Sequence, residues 1–221
     1  HLPLRLPGFW YQAMLRGPGY EAAGVTLAGF PFVVLGRGAG LAWAFTNVML
    51  DDHDLFFEQL DDTGERVRRG DGWLELRREV TRIPLPDGEF EEMVVRWTDL
   101  GVLLEADPAR GLPARSLAWT AASPGDSFSV LLQLPRSRSV DQLVGQLDES
   151  LAPAQTLVAA DSDGGLLYTA LGRVPARPLG DGRVPGPAWN PAYRWDGLLA
   201  QASNPTRLRP VDELIVTANH D

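Results

Sequence analysis

The chain has 221 residues, with 20 basic and 29 acidic side chains and a formal charge of −9. A phosphate backbone would repel that balance, so nucleic acid is excluded as a partner. All 20 basic residues are arginine and there is no cysteine, which excludes a lysine Schiff base, a Ser-x-x-Lys nucleophile, a Walker-type phosphate loop, a disulfide and cysteine-ligated zinc within these residues.

The length suits one large folded region, burying roughly 70% of the surface that the unfolded chain exposes. No apolar run approaches the ~20 residues that span a bilayer, so no membrane association is expected. Residues 1–23 mix Leu, Pro, aromatics and turn formers, and read as an irregular or partly helical entry. Phe32-Val33-Val34-Leu35 and Gly40-Leu41-Ala42-Trp43-Ala44-Phe45 read as two buried strands, with a glycine-rich turn between them. Asp54 to Leu60 reads as a third strand. From 65 to 104 successive strands are expected, turning at Gly70-Asp71-Gly72 and Pro86-Asp87-Gly88; alternation in Trp73-Leu74-Glu75-Leu76 and Met93-Val94-Val95-Arg96-Trp97 fits sheet with one wet face. Arg115 to Thr120 adds another strand.

One helix is clear. Ser139 caps it, Gln142 three residues on completes a capping box, and Val140, Leu143, Val144, Leu147 and Leu151 form an apolar stripe before Pro153. Gln155–Ala160 and Leu166–Leu171 flank Asp161-Ser162-Asp163-Gly164-Gly165, a hairpin pattern. Pro175, Pro178, Pro185, Pro187, Pro191, Pro205 and Pro210 mark 172–210 as a long irregular connection, and Glu213–Ala218 is expected as a last strand. The fold class is therefore α+β and β-rich. No repeat or internal domain boundary is read, so 1–221 is taken as a single region, with about 61–115 a β-rich excursion within it.

Few residues carry a chemical signal by themselves. In Asp51-Asp52-His53-Asp54, carboxylates at i and i+3 can turn toward one hard cation; a solvated loop is the other reading. Asp161-Ser162-Asp163-Gly164 begins like a calcium loop but lacks the later ligands and the terminal Glu, and reads as a turn. His1, His53 and His220 show no metal-ligand spacing, and neither a His-Glu-x-x-His nor a Gly-x-Ser-x-Gly motif is present. The seven Trp, at 10, 43, 73, 97, 119, 189 and 195, are scattered through mostly apolar runs. That favours core over the exposed aromatic groove that an unrelated β-rich binding module would need.

An ordered series of short segments adds more. His1-Leu2-Pro3-Leu4, Gly24-Val25-Thr26 with Gly29-Phe30-Pro31, Trp43-Ala44-Phe45-Thr46-Asn47, Asp51 to Asp54, Ser116-Leu117-Ala118-Trp119-Thr120, Gln155 to Arg177, Asn204-Pro205 and Ile215-Val216-Thr217-Ala218-Asn219 together resemble the catalytic β chain of penicillin acylases, members of the N-terminal nucleophile hydrolases. The resemblance covers nearly the whole chain. It implies part of an αββα sandwich with a mostly antiparallel sheet, from a precursor that cuts itself. A Ser exposed at the new N-terminus, absent from this chain, would attack an acyl–amine amide in a penicillin, an acyl-homoserine lactone or a similar small molecule, its own α-amine (pKa ~7.7–8.0) acting as base.

The resemblance also assigns candidate residues. His1 would orient the nucleophile's amine; the backbone N–H of Asn47, or of Val48 if the register slips, and the side chain of Asn219 would form the oxyanion hole. Leu2, Leu35 and Trp119 would line the substrate pocket, with aliphatic residues where phenylacetyl-specific relatives are aromatic. Asp51, Asp54 and the carbonyl of His53 would hold a structural Ca²⁺; no organic cofactor is implied. Thr98-Asp99-Leu100-Gly101 departs from the family's Thr-x-His-Gly by lacking the His. The chain is thus expected to be a fragment, inactive alone, completed by an α chain and further β-chain segments, and periplasmic or secreted by family analogy. A non-catalytic binding or scaffold protein on the same fold is the alternative.

Overall fold

A computed structural model describes residues 6–122, 126–147, 153–209 and 214–219. Four strands open the chain: β1 (Trp10–Gly17), β2 (Tyr20–Leu27), β3 (Leu35–Arg37) and β4 (Leu41–Asn47). Then follow β5 (His53–Phe57), β6 (Arg66–Arg69), β7 (Gly72–Glu75), β8 (Arg77–Pro84), β9 (Phe90–Trp97), β10 (Val102–Leu104) and β11 (Arg115–Trp119). Two short helices, α1 (Ser127–Gln133) and α2 (Val140–Val144), precede β12 (Gln155–Asp161), β13 (Leu166–Leu171), β14 (Gly186–Pro187) and β15 (Thr206–Leu208). The chain divides into two compact units, one of residues 1–50, 124–173 and 199–221, the other of 51–123 and 174–198; the second contains the stretch read as a β-rich excursion.

The first unit is built on an antiparallel sheet in the order β1-β2-β3-β4-β12-β13-β15. Alternation along β4 buries Leu41 and Trp43 and leaves Ala42 and Ala44 exposed. Leu41 and Trp43 join Leu157 and Leu167 from neighbouring strands, and the helical segment adds Val130, Leu134, Val140, Leu143 and Leu147 to one core. Asp126 caps α1, accepting from the Ser129 N–H at 3.0 Å. Ser139 caps α2 as expected, accepting from the Gln142 N–H at 3.2 Å. The reciprocal arm of the box reaches one residue further back, Gln142 Oε1 accepting from the Arg138 N–H at 3.0 Å. Asp161 ties the helix to the sheet: its carboxylate accepts from the Val140 N–H at 3.0 Å and from the Gly165 N–H of its own turn at 2.6 Å.

Three expectations for this unit are corrected. The entry is neither irregular nor helical from Trp10 onward but a β-hairpin, β1 pairing with β2 from Trp10↔Leu27 to Gly17↔Tyr20 across a Pro18-Gly19 turn. β1 is mostly exposed, so no hydrophobic alternation betrays it. Phe32–Val34 lies outside the strands, and β3 begins only at Leu35. Residues 214–219 are not a strand, and the sheet ends instead on Thr206–Leu208, inside the stretch read as irregular. Leu151 of the expected helical stripe lies outside the described residues.

The second unit carries a sheet in the order β14-β5-β11-β10-β9-β8, antiparallel except where β14 runs parallel to β5, beside the β6–β7 hairpin. Its apolar cluster is small: Phe56, Ala118 and Ala188, with Leu100, Tyr193 and Trp195 against it. Ionic structure supplements it. Arg69 grips the fully buried Glu58 carboxylate through both terminal nitrogens at 2.7 and 2.9 Å, and donates to Asp99 through Nε at 2.8 Å. Burial pulls the Arg69 pKa down, but Glu58 and Asp99 outweigh it and hold it above the ordinary value.

Asp61 organises the turn before β6, accepting from Thr63 Oγ1 at 2.8 Å and Arg66 Nε at 2.7 Å. Desolvation acts to raise its pKa, and the hydrogen bonds from Thr63 and Arg66 more than reverse this, bringing it down to about 2. A carboxyl lowered on folding stabilises the turn fully above the unfolded pKa of ~3.9, and that contribution is lost as pH falls through about 2. Carboxyl carbon shifts followed by NMR should place the Asp61 midpoint near 2, and near the ordinary value in Arg66→Gln/Thr63→Ala; an ordinary midpoint in the unmodified protein would refute the hydrogen-bonded turn.

Candidate active site and comparison with known proteins

The candidate site in the first unit grows from the end of β4. Antiparallel register sets Asn47 opposite Gln155 of β12, and Gln155 Nε2 donates to Asn47 Oδ1 at 3.0 Å. That bond engages the Asn47 side chain and leaves its backbone N–H to a different partner. The segment 214–219 is tied to the same strand end by two side-chain bonds. Thr46 and Thr217 hydroxyls meet at 2.8 Å, and the Asn47 N–H donates to Asn219 Oδ1 at 3.0 Å. Asn219 adopts φ 56°, a left-handed conformation that Asn tolerates better than most residues. The structure thus brings together Asn47 and Asn219, 172 residues apart, at a solvent-exposed strand end.

Chemically this is a backbone N–H beside a carboxamide, two donors that can face one oxygen. As it stands, Asn219 Oδ1 fills the acceptor position on the Asn47 N–H. An incoming carbonyl oxygen would take that position, with the carboxamide turning Nδ2 toward it. A buried bracket supports the neighbouring strand end: Asn204 Nδ2 donates to the carbonyls of Ala170 at 3.0 Å and Gly172 at 2.6 Å, and Gln201 Nε2 to Ala170 O at 2.7 Å. The Asn204-Pro205 segment therefore anchors the end of β13 before the chain enters β15.

His1 and Leu2 lie outside the described residues. Leu35 opens β3 and is half-buried. It is not among the residues lining the apolar hollow of about 410 Å³ formed by Tyr11, Leu15, Leu27, Phe30 and Phe32 in the same unit. Trp119 ends β11 in the second unit, paired in register with His53 and 47% exposed. In Thr98-Asp99-Leu100-Gly101 the Thr98 hydroxyl accepts from the Leu100 and Gly101 N–H groups at 3.1 and 3.3 Å. Leu100, where the family pattern has His, packs against the Phe56 cluster.

The Asp51–Asp54 segment is occupied by the protein itself. Asp54, on the inward face of β5 and 5% exposed, accepts from Arg177 Nε at 2.8 Å and Trp195 Nε1 at 2.5 Å on Oδ2, and from Arg177 Nη2 at 3.1 Å on Oδ1. Arg177 Nη2 also reaches the Asp51 carbonyl and carboxylate, each at 3.2 Å. His53 points outward and bonds Asp52 through Nδ1 at 2.8 Å. Among the described residues no three His, Asp or Glu side chains converge as metal ligands. Both Asp54 carboxylate oxygens therefore carry N–H donors, while Asp51 keeps a half-exposed side chain that Arg177 meets through Oδ1. Burial works against the charge on Arg177, and the Asp54 hydrogen bond and the charges of Asp54 and Asp51 more than restore it.

Sequence reasoning gave no role to Gln155, Thr217, Arg177 or Trp195. Each lay in or near a segment of the family resemblance, but only cross-strand register or chain reversal reveals its partner.

The architecture is the N-terminal nucleophile hydrolase fold: over 100% of this chain and 40% of the other, it superposes on a thermostable penicillin G acylase from Alcaligenes faecalis with a TM-score of 0.89 at 23% identity. Residues 1–221 match the family model for penicillin amidase, and the chain belongs to that family. It is 32% identical to the acyl-homoserine lactone acylase QuiP of Pseudomonas aeruginosa, over 100% of this chain and 27% of that protein. It is 28% identical to the penicillin acylase 2 proenzyme of Pseudomonas sp. strain SE83, over 100% of this chain and 29% of that one. The chain therefore spans under a third of the length of these relatives. No helix among the described residues is long and apolar enough to cross a membrane.

Proposed function

We propose that the protein containing this chain hydrolyses the amide between an acyl group and a small amine, with N-acyl-homoserine lactones as its preferred substrate class. The meeting of Asn47 and Asn219 carries the reading. Attack on an amide carbonyl puts negative charge on its oxygen, and two preorganised donors at that oxygen lower the barrier most. This chain can offer both, the Asn47 N–H as it stands and the Asn219 carboxamide once Nδ2 turns toward the oxygen in place of Oδ1. The nucleophile is an N-terminal Ser outside these residues, with His1 orienting its amine, so the 221 residues alone are inactive. An α chain and further β-chain segments complete the pocket. Preference for an aliphatic acyl chain over phenylacetyl rests on the resemblance, which assigns Leu2 and Leu35 to the acyl pocket, and the 32% identity to an acyl-homoserine lactone acylase supports it. Periplasmic or secreted placement belongs to the same proposal.

The test is the complete gene product incubated with N-decanoyl-homoserine lactone and with penicillin G, each followed by release of the free amine. Faster turnover of the lactone, by a protein processed into two chains, is the expected result. Processing with penicillin G preferred overturns the substrate class. An uncut chain that cleaves neither overturns the amidase reading and leaves a binding scaffold on the same fold.

A further inference from the structure

We propose that Arg177 is the resident cation of the Asp51–Asp54 site, so that this unit is held by a guanidinium rather than by a divalent ion. Asp54 is 5% exposed, and a carboxylate so buried must be neutralised or it destabilises the fold. Arg177 does this in fork geometry, Nε to Oδ2 at 2.8 Å and Nη2 to Oδ1 at 3.1 Å. A guanidinium meets both carboxylate oxygens at once with N–H donors held in a planar fork. The indole N–H of Trp195 fills a further lone pair on Oδ2. The same Nη2 gathers the Asp51 carbonyl and carboxylate at 3.2 Å each, so one cation binds both aspartates. Gly182 closes the pair from behind, where a Cβ would stand 2.5 Å from Asp54 Oδ1 and 3.0 Å from Arg177 Nε.

Charge completes the argument. Two aspartates and one arginine leave a net charge of −1 at the cluster. A divalent ion on the same oxygens would have to displace the guanidinium or sit against it at a few ångströms, where like charges repel strongly at low dielectric. The proposal does not depend on the amidase reading, and its readout is stability rather than turnover.

The experiment uses the full gene product melted in excess EDTA and in millimolar CaCl₂, alongside Asp51→Asn, Arg177→Ala and Arg177→Lys. The unmodified protein is expected to melt at one temperature in both buffers, or to show a calcium response that Asp51→Asn leaves unchanged because it arises elsewhere. Arg177→Ala is expected to melt lower by about 5 °C or more, as befits a broken buried pair. Arg177→Lys, which keeps the charge and loses the fork, is expected to fall between. A calcium-dependent melting temperature that Asp51→Asn abolishes overturns the proposal, and so does an Arg177→Ala protein that melts with the unmodified one. If Arg177→Ala does not accumulate in folded form, the EDTA comparison and Arg177→Lys decide the question.

Discussion

Replacing Asn219 with Ala is expected to lower kcat for amide hydrolysis about 100- to 1,000-fold in the complete, processed protein, with KM little changed. In the proposed reaction the carboxamide donates where charge develops, in the transition state, so its loss would fall on kcat rather than on ground-state binding. The Asn47 N–H remains, so activity drops without vanishing. Asn219→Asp is a sharper probe: it keeps the shape and the acceptor toward the Asn47 N–H but replaces the donor with a negative charge facing the oxyanion. Its loss should equal or exceed that of Asn219→Ala. Melting should change little, because Asn219 is exposed, although a β-carbon without a local hydrogen bond at φ 56° costs about 1 kcal/mol. Steady-state kinetics with N-decanoyl-homoserine lactone measure the effect. An Asn219→Ala enzyme within a few-fold of the original kcat would remove Asn219 from the oxyanion hole.

Gly101→Ala should be the most damaging small substitution in the second unit, costing roughly 4 kcal/mol or more. Gly101 has φ 154°, and a Cβ there would lie 1.8 Å from the Leu117 carbonyl oxygen. That oxygen belongs to β11, whose register with β10 begins at Val102↔Leu117. The backbone would have to separate at the start of this pairing, beside the small Phe56–Ala118 cluster that Leu100 helps to cover. Protease resistance of the 51–123 segment should fall sharply in Gly101→Ala. As a control, Gly88→Ala also has a positive φ, at 90°, but nothing within 4 Å of the added carbon, and should show only the smaller conformational cost. Equal resistance in the two variants would refute close approach as the reason for Gly101.

The Thr98–Gly101 motif shows how far family pattern and local physics can part. The Thr and Gly have structural work here whether or not a His accompanies them. The Thr hydroxyl closes the turn between β9 and β10, and the Gly admits the neighbouring strand. The third position is free to become Leu because its side chain turns onto an apolar cluster.

Local chemistry made much of the fold legible in advance. The Asp161–Gly165 turn, the Ser139 cap, the strand through Leu41–Phe45 and the turns at Gly70–Gly72 and Pro86–Gly88 are decided within a few residues, by turn preference, capping and apolar run. Elements without such a local signature were missed. β1 is mostly exposed and so lacks the apolar period that marks a strand. α1 spans only Ser127–Gln133, too short for a repeating stripe. Ile215-Val216-Thr217 has every residue preference of a strand, yet 214–219 is not one, with Val216 68% exposed.

For the site, the sequence by itself determined which residue types were on hand: two asparagines with oxyanion potential, two aspartates beside a strand, no cysteine and no lysine. It could not say that Asn47 and Asn219 touch, because 172 residues and three of the sheet's seven strands separate them along the chain. Nor could it say that the Asp54 carboxylate is already spent. Arg177 lies 123 residues away, and only burial of β5 beside the returning 174–198 segment brings its guanidinium onto the Asp54 carboxylate. Turns and caps are short-range and were decided locally. Charge pairing and donor convergence depend on which distant strands share a sheet, and the tertiary structure alone decided them.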